Sequence, residues 1–203
     1  MSLVSSLLHR LAGRRTAEQR WDERWADPTF YASFQIDELA HYSVLAGYVH
    51  ELKPGGALLD VGCGDGVFRR HLHPDAFSRY LGIDFPEAIA RSQKYRDART
   101  SFAAADMRTY QPESTFDTIV FNESLYYVED PVAELDRFAA FLKADGVFLV
   151  SMHRKPKSEK IWASIARQFA MIDRVTLANR SDVQWILGAF KPAPPPAHSQ
   201  SPG

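Results

Sequence analysis

Asp60, Asp84, Asp106, Asn122 and His153 each stand at the end of a short apolar run, and Glu123 directly follows Asn122. A carboxylate at such a position can grip hydroxyls or amines, because it offers two acceptor oxygens. A histidine there can take a proton near neutral pH, since its unperturbed pKa is about 6.5. His153 and Glu123 are therefore the candidate general bases, with His41 as a more remote one. Asn122 and Glu123 supply only two oxygens toward a divalent cation, too few to define a site, so no metal is expected.

The first acid opens a glycine turn, Asp60-Val61-Gly62-Cys63-Gly64-Asp65-Gly66. Glycine takes positive φ and lets the backbone lie against a ligand. A phosphate-cradling loop would carry Gly-Lys-Ser or Gly-Lys-Thr, and no lysine stands near this turn. A dinucleotide fingerprint needs its third glycine three positions after the second, where this chain has Val67, so a nicotinamide oxidoreductase is the weaker alternative. Asp84 follows Gly66 at close to the roughly 20 residues expected of an acid that holds a ribose diol.

These residues need an element order to bring them together. The run at 57–61, bounded by Pro54-Gly55-Gly56, reads as a buried strand, with a helix starting near Asp65. Further strands are expected at 79–85, 101–107, 116–121 and 147–152, with helices at 86–95, 131–142 and 158–169, and Lys143-Ala144-Asp145-Gly146 as a turn. Repeated strand–helix units imply a parallel sheet with right-handed crossovers, so the strand ends share one edge, where open α/β sheets bind ligands. Two closing runs, 171–178 and 182–190, are separated by Asn179-Arg180-Ser181 and read as an antiparallel pair.

The pattern Asp60-x-Gly62-x-Gly64-x-Gly66, with both later acids and the closing hairpin in order, resembles the Rossmann-like (class I) methyltransferases that use S-adenosylmethionine. The resemblance covers about residues 57–190. It implies an α/β fold, a seven-stranded mostly parallel sheet of order 3-2-1-4-5-7-6 with the last strand antiparallel, helices on both faces and N-terminal cap helices. It implies S-adenosylmethionine as cofactor and S-adenosylhomocysteine as product. By this analogy Gly62, Cys63 and Gly64 pass close to the methionine part, Asp60 orients its amino end, Asp84 holds the ribose and Phe85 flanks the adenine. Asp106 and Met107 read the adenine edge, and Asn122 joins the cofactor site. Cys63 is a small residue tolerated in the turn, since no base stands beside it to make a nucleophile.

The acceptor is narrowed by exclusion. Asn122-Glu123-Ser124-Leu125 replaces the Asn-Pro-Pro-Tyr or Asp-Pro-Pro-Tyr of adenine methyltransferases, and a net charge of -1 gives no field to collect nucleic acid. Glu123-Ser124-Leu125-Tyr126-Tyr127 is similar to small-molecule and sugar methyltransferases, including nodulation N-methyltransferases. A polar small molecule, of the sugar or secondary-metabolite kind, is the expected substrate, methylated on N or O. Tyr31, His41, Tyr42, Tyr126 and Tyr127 are the candidate substrate contacts, aromatic faces being able to attract a sulfonium cation. The basic run Arg154-Lys155-Pro156-Lys157, with Lys160, reads either as a solvated face or as a contact for a phosphate or carboxylate. A protein that binds the cofactor without turnover, or activates a partner, is the alternative outside catalysis.

At 203 residues, 45% hydrophobic and 24% charged, the chain suits one α/β domain. Three parts are expected: N-terminal helices at 1–52 forming a cap or lid, a cofactor-binding methyltransferase domain at 53–190, and a disordered tail at 191–203. The cap helices are read at 17–25 and 36–52. Leu3, Val4, Leu7, Leu8 and Leu11 fall on one face of a further short helix, which packs on the domain or on a second copy in a homodimer, with membrane-surface binding as the alternative. One cysteine fits a reducing compartment, so the cytoplasm is expected, and no run is long enough to span a membrane.

Overall fold

The computed structural model of the chain describes residues 16–27 and 36–193. The amphipathic stretch at residues 3–11, Tyr31 and most of the expected tail lie outside these residues. Helix α1 (Ala17–Ala26) starts at a capping box: Thr16 Oγ1 accepts from the Gln19 N–H at 3.1 Å, and Gln19 Oε1 accepts from the Thr16 N–H at 3.0 Å. A 3-10 turn (Ile36–Glu38) leads into α2 (Leu39–Leu52).

Seven strands follow in one sheet of order β3-β2-β1-β4-β5-β7-β6. They are β1 (Gly56–Val61), β2 (Phe77–Asp84), β3 (Thr100–Ala104), β4 (Phe116–Asn122), β5 (Leu142–His153), β6 (Phe169–Ala178) and β7 (Gln184–Pro192). Strands β1 to β5 are parallel, whereas β7 runs antiparallel to both β5 and β6. The expected order and the reversed final strand are both present.

Side-chain alternation explains why the sheet is covered on both sides. Leu59 and Val61 of β1, with Ile119 and Phe121 of β4, enter one core together with Phe148 and Val150 of β5. Leu58, Val120 and Leu149 enter the other. Helices α5 (Pro131–Ala139) and α6 (Pro156–Gln168) close the first core through Leu135, Phe138, Ile161 and Trp162. Helices α2, α3 (Val67–His71) and α4 (Pro86–Ser92) close the second through Leu45, Val49, Phe68 and Ile89. Burying both faces is what a parallel sheet requires.

Three expected boundaries are corrected. Lys143–Gly146 is not a turn between elements but an irregular segment within β5: Phe116 pairs with Leu142 and Thr118 with Val147, so the ladder steps over these residues. Helix α5 stops at Ala139 instead of reaching Leu142, because the Phe141 carbonyl accepts from the Phe116 N–H at 2.9 Å and draws the chain into the sheet. Lys191 and Pro192, expected in the tail, extend β7 and pair with Ala170 and Phe169.

Candidate active site

The sheet order reverses direction between β1 and β4, and the crevice outside the carboxyl ends of such neighbours is where open α/β sheets hold ligands. A cavity of about 700 Å³ opens there. One wall is the turn after β1. Gly62, Gly64 and Gly66 have φ of 76°, 56° and 80°, the left-handed region that glycine enters without penalty. A Cβ on Gly62 would stand 2.5 Å from Ser124 Cβ, so the turns after β1 and β4 touch only because glycine is there. The Ser124 hydroxyl donates to the Val61 carbonyl at 2.5 Å and locks the two together.

Asp84 closes β2 beside this turn. Its carboxylate accepts the Gly64 N–H at 2.8 Å and its neighbouring Phe85 N–H at 2.7 Å. Asp60 is fully buried; Tyr80 donates to its Oδ2, and its Oδ1 has no partner. Burial pushes its pKa up to about 7. A buried carboxylate oxygen without a donor is costly, and a ligand ammonium or hydroxyl would supply one. Asn122 Oδ1, on the same cavity, is likewise unpartnered. These orphaned atoms and the glycine cradle fit a ligand with amino and hydroxyl donors, as S-adenosylmethionine has.

The Asp106–Met107 end of the cavity is already engaged. Arg108 grips Asp106, with Nε at 2.8 Å from Oδ1, and the Arg108 N–H donates to the same oxygen at 3.0 Å. The Met107 carbonyl accepts from Arg137, which also donates to the Tyr110 carbonyl at 2.6 Å. Asp106 and Met107 do line the cavity, as does Phe85. For Asp106 to meet an amino group, its outer lone pairs must be shared with Arg108.

The other wall carries the candidate bases. Glu123 adopts φ of 54° although it is not glycine, a strained position of the kind found at functional sites. It accepts from Tyr126 Oη at 2.9 Å, Ser151 Oγ at 3.2 Å and the His153 N–H at 3.2 Å, and His153 Nδ1 lies 3.3 Å from its Oε2. Burial nevertheless pushes the Glu123 pKa up to about 7, and burial followed by the nearby Lys155 charge holds His153 below its usual value. With Nδ1 turned to Glu123, His153 Nε2 is left without a partner. The imidazole stacks on Trp185 with centroids 4.9 Å apart.

Most of the residues expected from sequence meet here: Asp60, Gly62, Cys63, Gly64, Asp84, Phe85, Asp106, Met107, Asn122, Glu123, Tyr126, Tyr127, Tyr42 and His153 all line the cavity. Cys63 is buried and its thiol is pushed up by desolvation, so it is no nucleophile. His41 is a correction: it is fully buried between Tyr42 and Trp185, off the cavity, and desolvation holds its pKa down to about 3. It is therefore not part of the cavity wall.

Sequence reasoning missed four residues on this wall. Trp21 and Arg24 of α1 line the cavity, with Trp21 edge-on to Tyr127 at 4.8 Å. The Thr16–Gln19 capping box signalled the helix, but not what it would lie over. Glu38 also lines the cavity, with its pKa raised to about 7 by burial and then by Asp37. Ser158 is the fourth. The basic run is divided by the fold: Lys155 and Lys157 line the cavity, whereas Arg154 pairs with Glu159 at 2.8 Å and Lys160 stands outside.

A doubly covered sheet with a ligand crevice at its reversal point, a glycine cradle and an acid closing β2 at ribose spacing define a Rossmann-like nucleotide-cofactor fold. The methyltransferase-domain family matches residues 31–190, and the chain belongs to this family, the class I methyltransferases that depend on S-adenosylmethionine. The mitochondrial arginine-hydroxylase NDUFAF5 of Rattus norvegicus is 29% identical over 137 residues, 66% of this chain and 39% of that protein. Trans-aconitate 2-methyltransferase of Streptomyces avermitilis is 29% identical over 166 residues, 77% of this chain and 62% of that protein. The chain thus matches less than two thirds of the length of these curated relatives. Among solved structures, N-methyltransferase NodS of Bradyrhizobium japonicum WM9 with S-adenosyl-L-homocysteine superposes with a TM-score of 0.74 at 22% identity, covering 88% of this chain and 100% of that one. At that identity the likeness is one of fold.

Proposed function

We propose that the chain transfers the methyl group of S-adenosylmethionine to an N or O nucleophile of a polar small molecule. One observation carries this reading: Asp60, whose Oδ1 is buried without a partner, and the glycine cradle line the same cavity as the Glu123–His153 pair. The cofactor supplies a methyl on positive sulfur, open to in-line displacement by a lone pair. Asp60, Asp84 and the Gly62–Gly64 backbone orient the cofactor, and positioning of this kind can supply much of the rate. Tyr126, Tyr127 and Trp21 cover the acceptor side and exclude water.

For a hydroxyl acceptor, the Glu123–His153 pair takes the leaving proton, with Glu123 on the Nδ1 side of the imidazole. An amine acceptor needs only its lone pair placed and desolvated. The nodulation N-methyltransferase likeness supports the amine case and the trans-aconitate relative supports an oxygen nucleophile. In this reading α1 is the described part of the cap expected at 1–52, whereas α2 packs on the sheet, and the lone buried cysteine suits a reducing, cytoplasmic setting.

The test is titration calorimetry with S-adenosylhomocysteine beside NADH, with Asp84→Ala as control, followed by release of S-adenosylhomocysteine against an acceptor panel. Binding of the homocysteine product alone, lost in the variant, supports the reading. Binding of NADH alone overturns it, and cofactor binding without turnover on any acceptor favours the non-catalytic alternative.

A further inference from the structure

The acceptor wall includes the first turn of α6. Pro156 at its first position has no N–H, and Lys155 at the N-cap offers no side-chain cap, so the amides of Lys157 and Ser158 have no partner within the helix. Ser158 is only 3% exposed, lines the cavity, and its hydroxyl has no hydrogen-bond partner among the described residues. Lys155 lines the same wall, and its ammonium has no carboxylate partner among the described residues. Lys157 donates to the Tyr126 carbonyl at 2.6 Å, which leaves two of its three N–H groups for another acceptor.

This turn therefore offers donors and positive charge with nothing to receive them. The contrast with the opposite wall is direct, because there Arg108 is committed to Asp106. Asp60, Asp84 and Asp106 also lie on that opposite wall, at the ends of or just beyond β1, β2 and β3. The acids around this turn are Glu159 within it, paired with Arg154 at 2.8 Å and off the cavity, Glu123, held by Tyr126, Ser151 and His153, and Glu38 on the cap side. A helix N-terminus favours an anion, and ammonium groups beside it add charge-assisted bonds.

We propose that the first turn of α6, with Lys155, Lys157 and Ser158, binds an oxyanion of the methyl acceptor, a carboxylate or phosphate carried beside the atom that receives the methyl group. This rests on the methyltransferase reading and narrows it from polar small molecules to anionic ones. Neutral sugars and simple amines lack the group that these donors need.

The test measures binding, so no acceptor has to be known. Inorganic phosphate, citrate and N-acetylglucosamine are titrated by calorimetry into the full chain, with and without S-adenosylhomocysteine. Phosphate or citrate binds, and its affinity falls about tenfold or more in Lys155→Gln and in Ser158→Ala. Lys160→Gln, on the same helix but off the cavity, leaves it unchanged. Preference for citrate assigns a carboxylate, and preference for phosphate assigns a phosphate. The proposal is overturned if neither anion binds a chain that still binds S-adenosylhomocysteine, if Lys160→Gln weakens binding as much as the other two, or if only the neutral sugar binds. Failure of S-adenosylhomocysteine to bind the wild-type chain overturns instead the methyltransferase reading, and with it the assignment of the anion to an acceptor.

Discussion

The two walls of the cavity are built by different means. The cofactor wall is made of strand ends and the turns leaving them: Gly62 to Gly66 after β1, Asp84 closing β2, Asp106 just beyond β3. Its geometry comes from backbone, as when the Gly64 and Phe85 N–H groups fix Asp84. The acceptor wall is made of side chains from separate elements, with Trp21 from α1, Glu38 before α2, Tyr126 after β4, His153 ending β5 and Ser158 in α6. The first wall suits one constant ligand. The second can be remade by changing a few side chains, which is why the fold does not name the acceptor.

The sharpest way to break this contrast is Gly62→Ala. Positive φ and a Cβ 2.5 Å from Ser124 both oppose the change. Strain and overpacking of about 2–4 kcal/mol are expected, with S-adenosylhomocysteine binding lost in calorimetry and the thermal midpoint lowered by several degrees. If the variant binds normally, the cofactor wall is not set by its backbone.

On the acceptor wall, His153→Ala should slow transfer to a hydroxyl acceptor by about a hundredfold or more, with S-adenosylhomocysteine affinity unchanged. The pH profile sharpens this. Glu123, with its pKa raised to about 7, must be ionised to hold the His153 Nδ1–H, so activity should fall as pH drops through about 7. In Glu123→Gln that acid limb should vanish along with most of the rate; an intact limb would assign it to another group.

Asp84→Ala should weaken S-adenosylhomocysteine by about tenfold or more, through the lost diol contact and the freed Gly64 amide. A smaller effect is expected of Trp21→Ala. Loss of its edge contact with Tyr127 should raise the acceptor KM by about three- to tenfold while cofactor affinity stays constant.

The smallest effect joins both walls. Asp60, Glu38 and Glu123 all have folded-state pKa values raised to about 7 by burial, above the unfolded values near 4. The folded state therefore binds more protons between these limits. Stability of the ligand-free protein should be greatest below about pH 4 with respect to these groups and decline as pH rises from about 4 to about 7, read as a falling thermal midpoint. Glu123→Gln should flatten part of that decline.

The cofactor wall was legible in the sequence because its residues are tied to local patterns. A strand that ends in an acid followed by alternate glycines carries its geometry with it, and β1, β2 and β4 are each short apolar runs with a defined end. The acceptor wall was only half legible. Glu123 and His153 could be placed because each ends or follows a strand. His41 could not: an apolar helix face does not reveal whether a histidine on it points to the sheet or to a cavity, and here it is packed against Trp185, distant in sequence. Lys143–Gly146 misled for a similar reason, since Asp145-Gly146 has turn chemistry but the ladder resumes on either side of it.

The sequence by itself determined the strand–helix order, the sheet it must form and the edge at which its acids meet, because those follow from periodicity, glycine conformation and the handedness of crossovers. Only the tertiary structure decided that α1 lies over the cavity, that Lys155 and Ser158 face it while Arg154 and Lys160 do not, and that Glu123 and His153 touch. Those contacts join residues far apart in the chain, and their energies depend on burial and on partners that no local stretch of sequence contains.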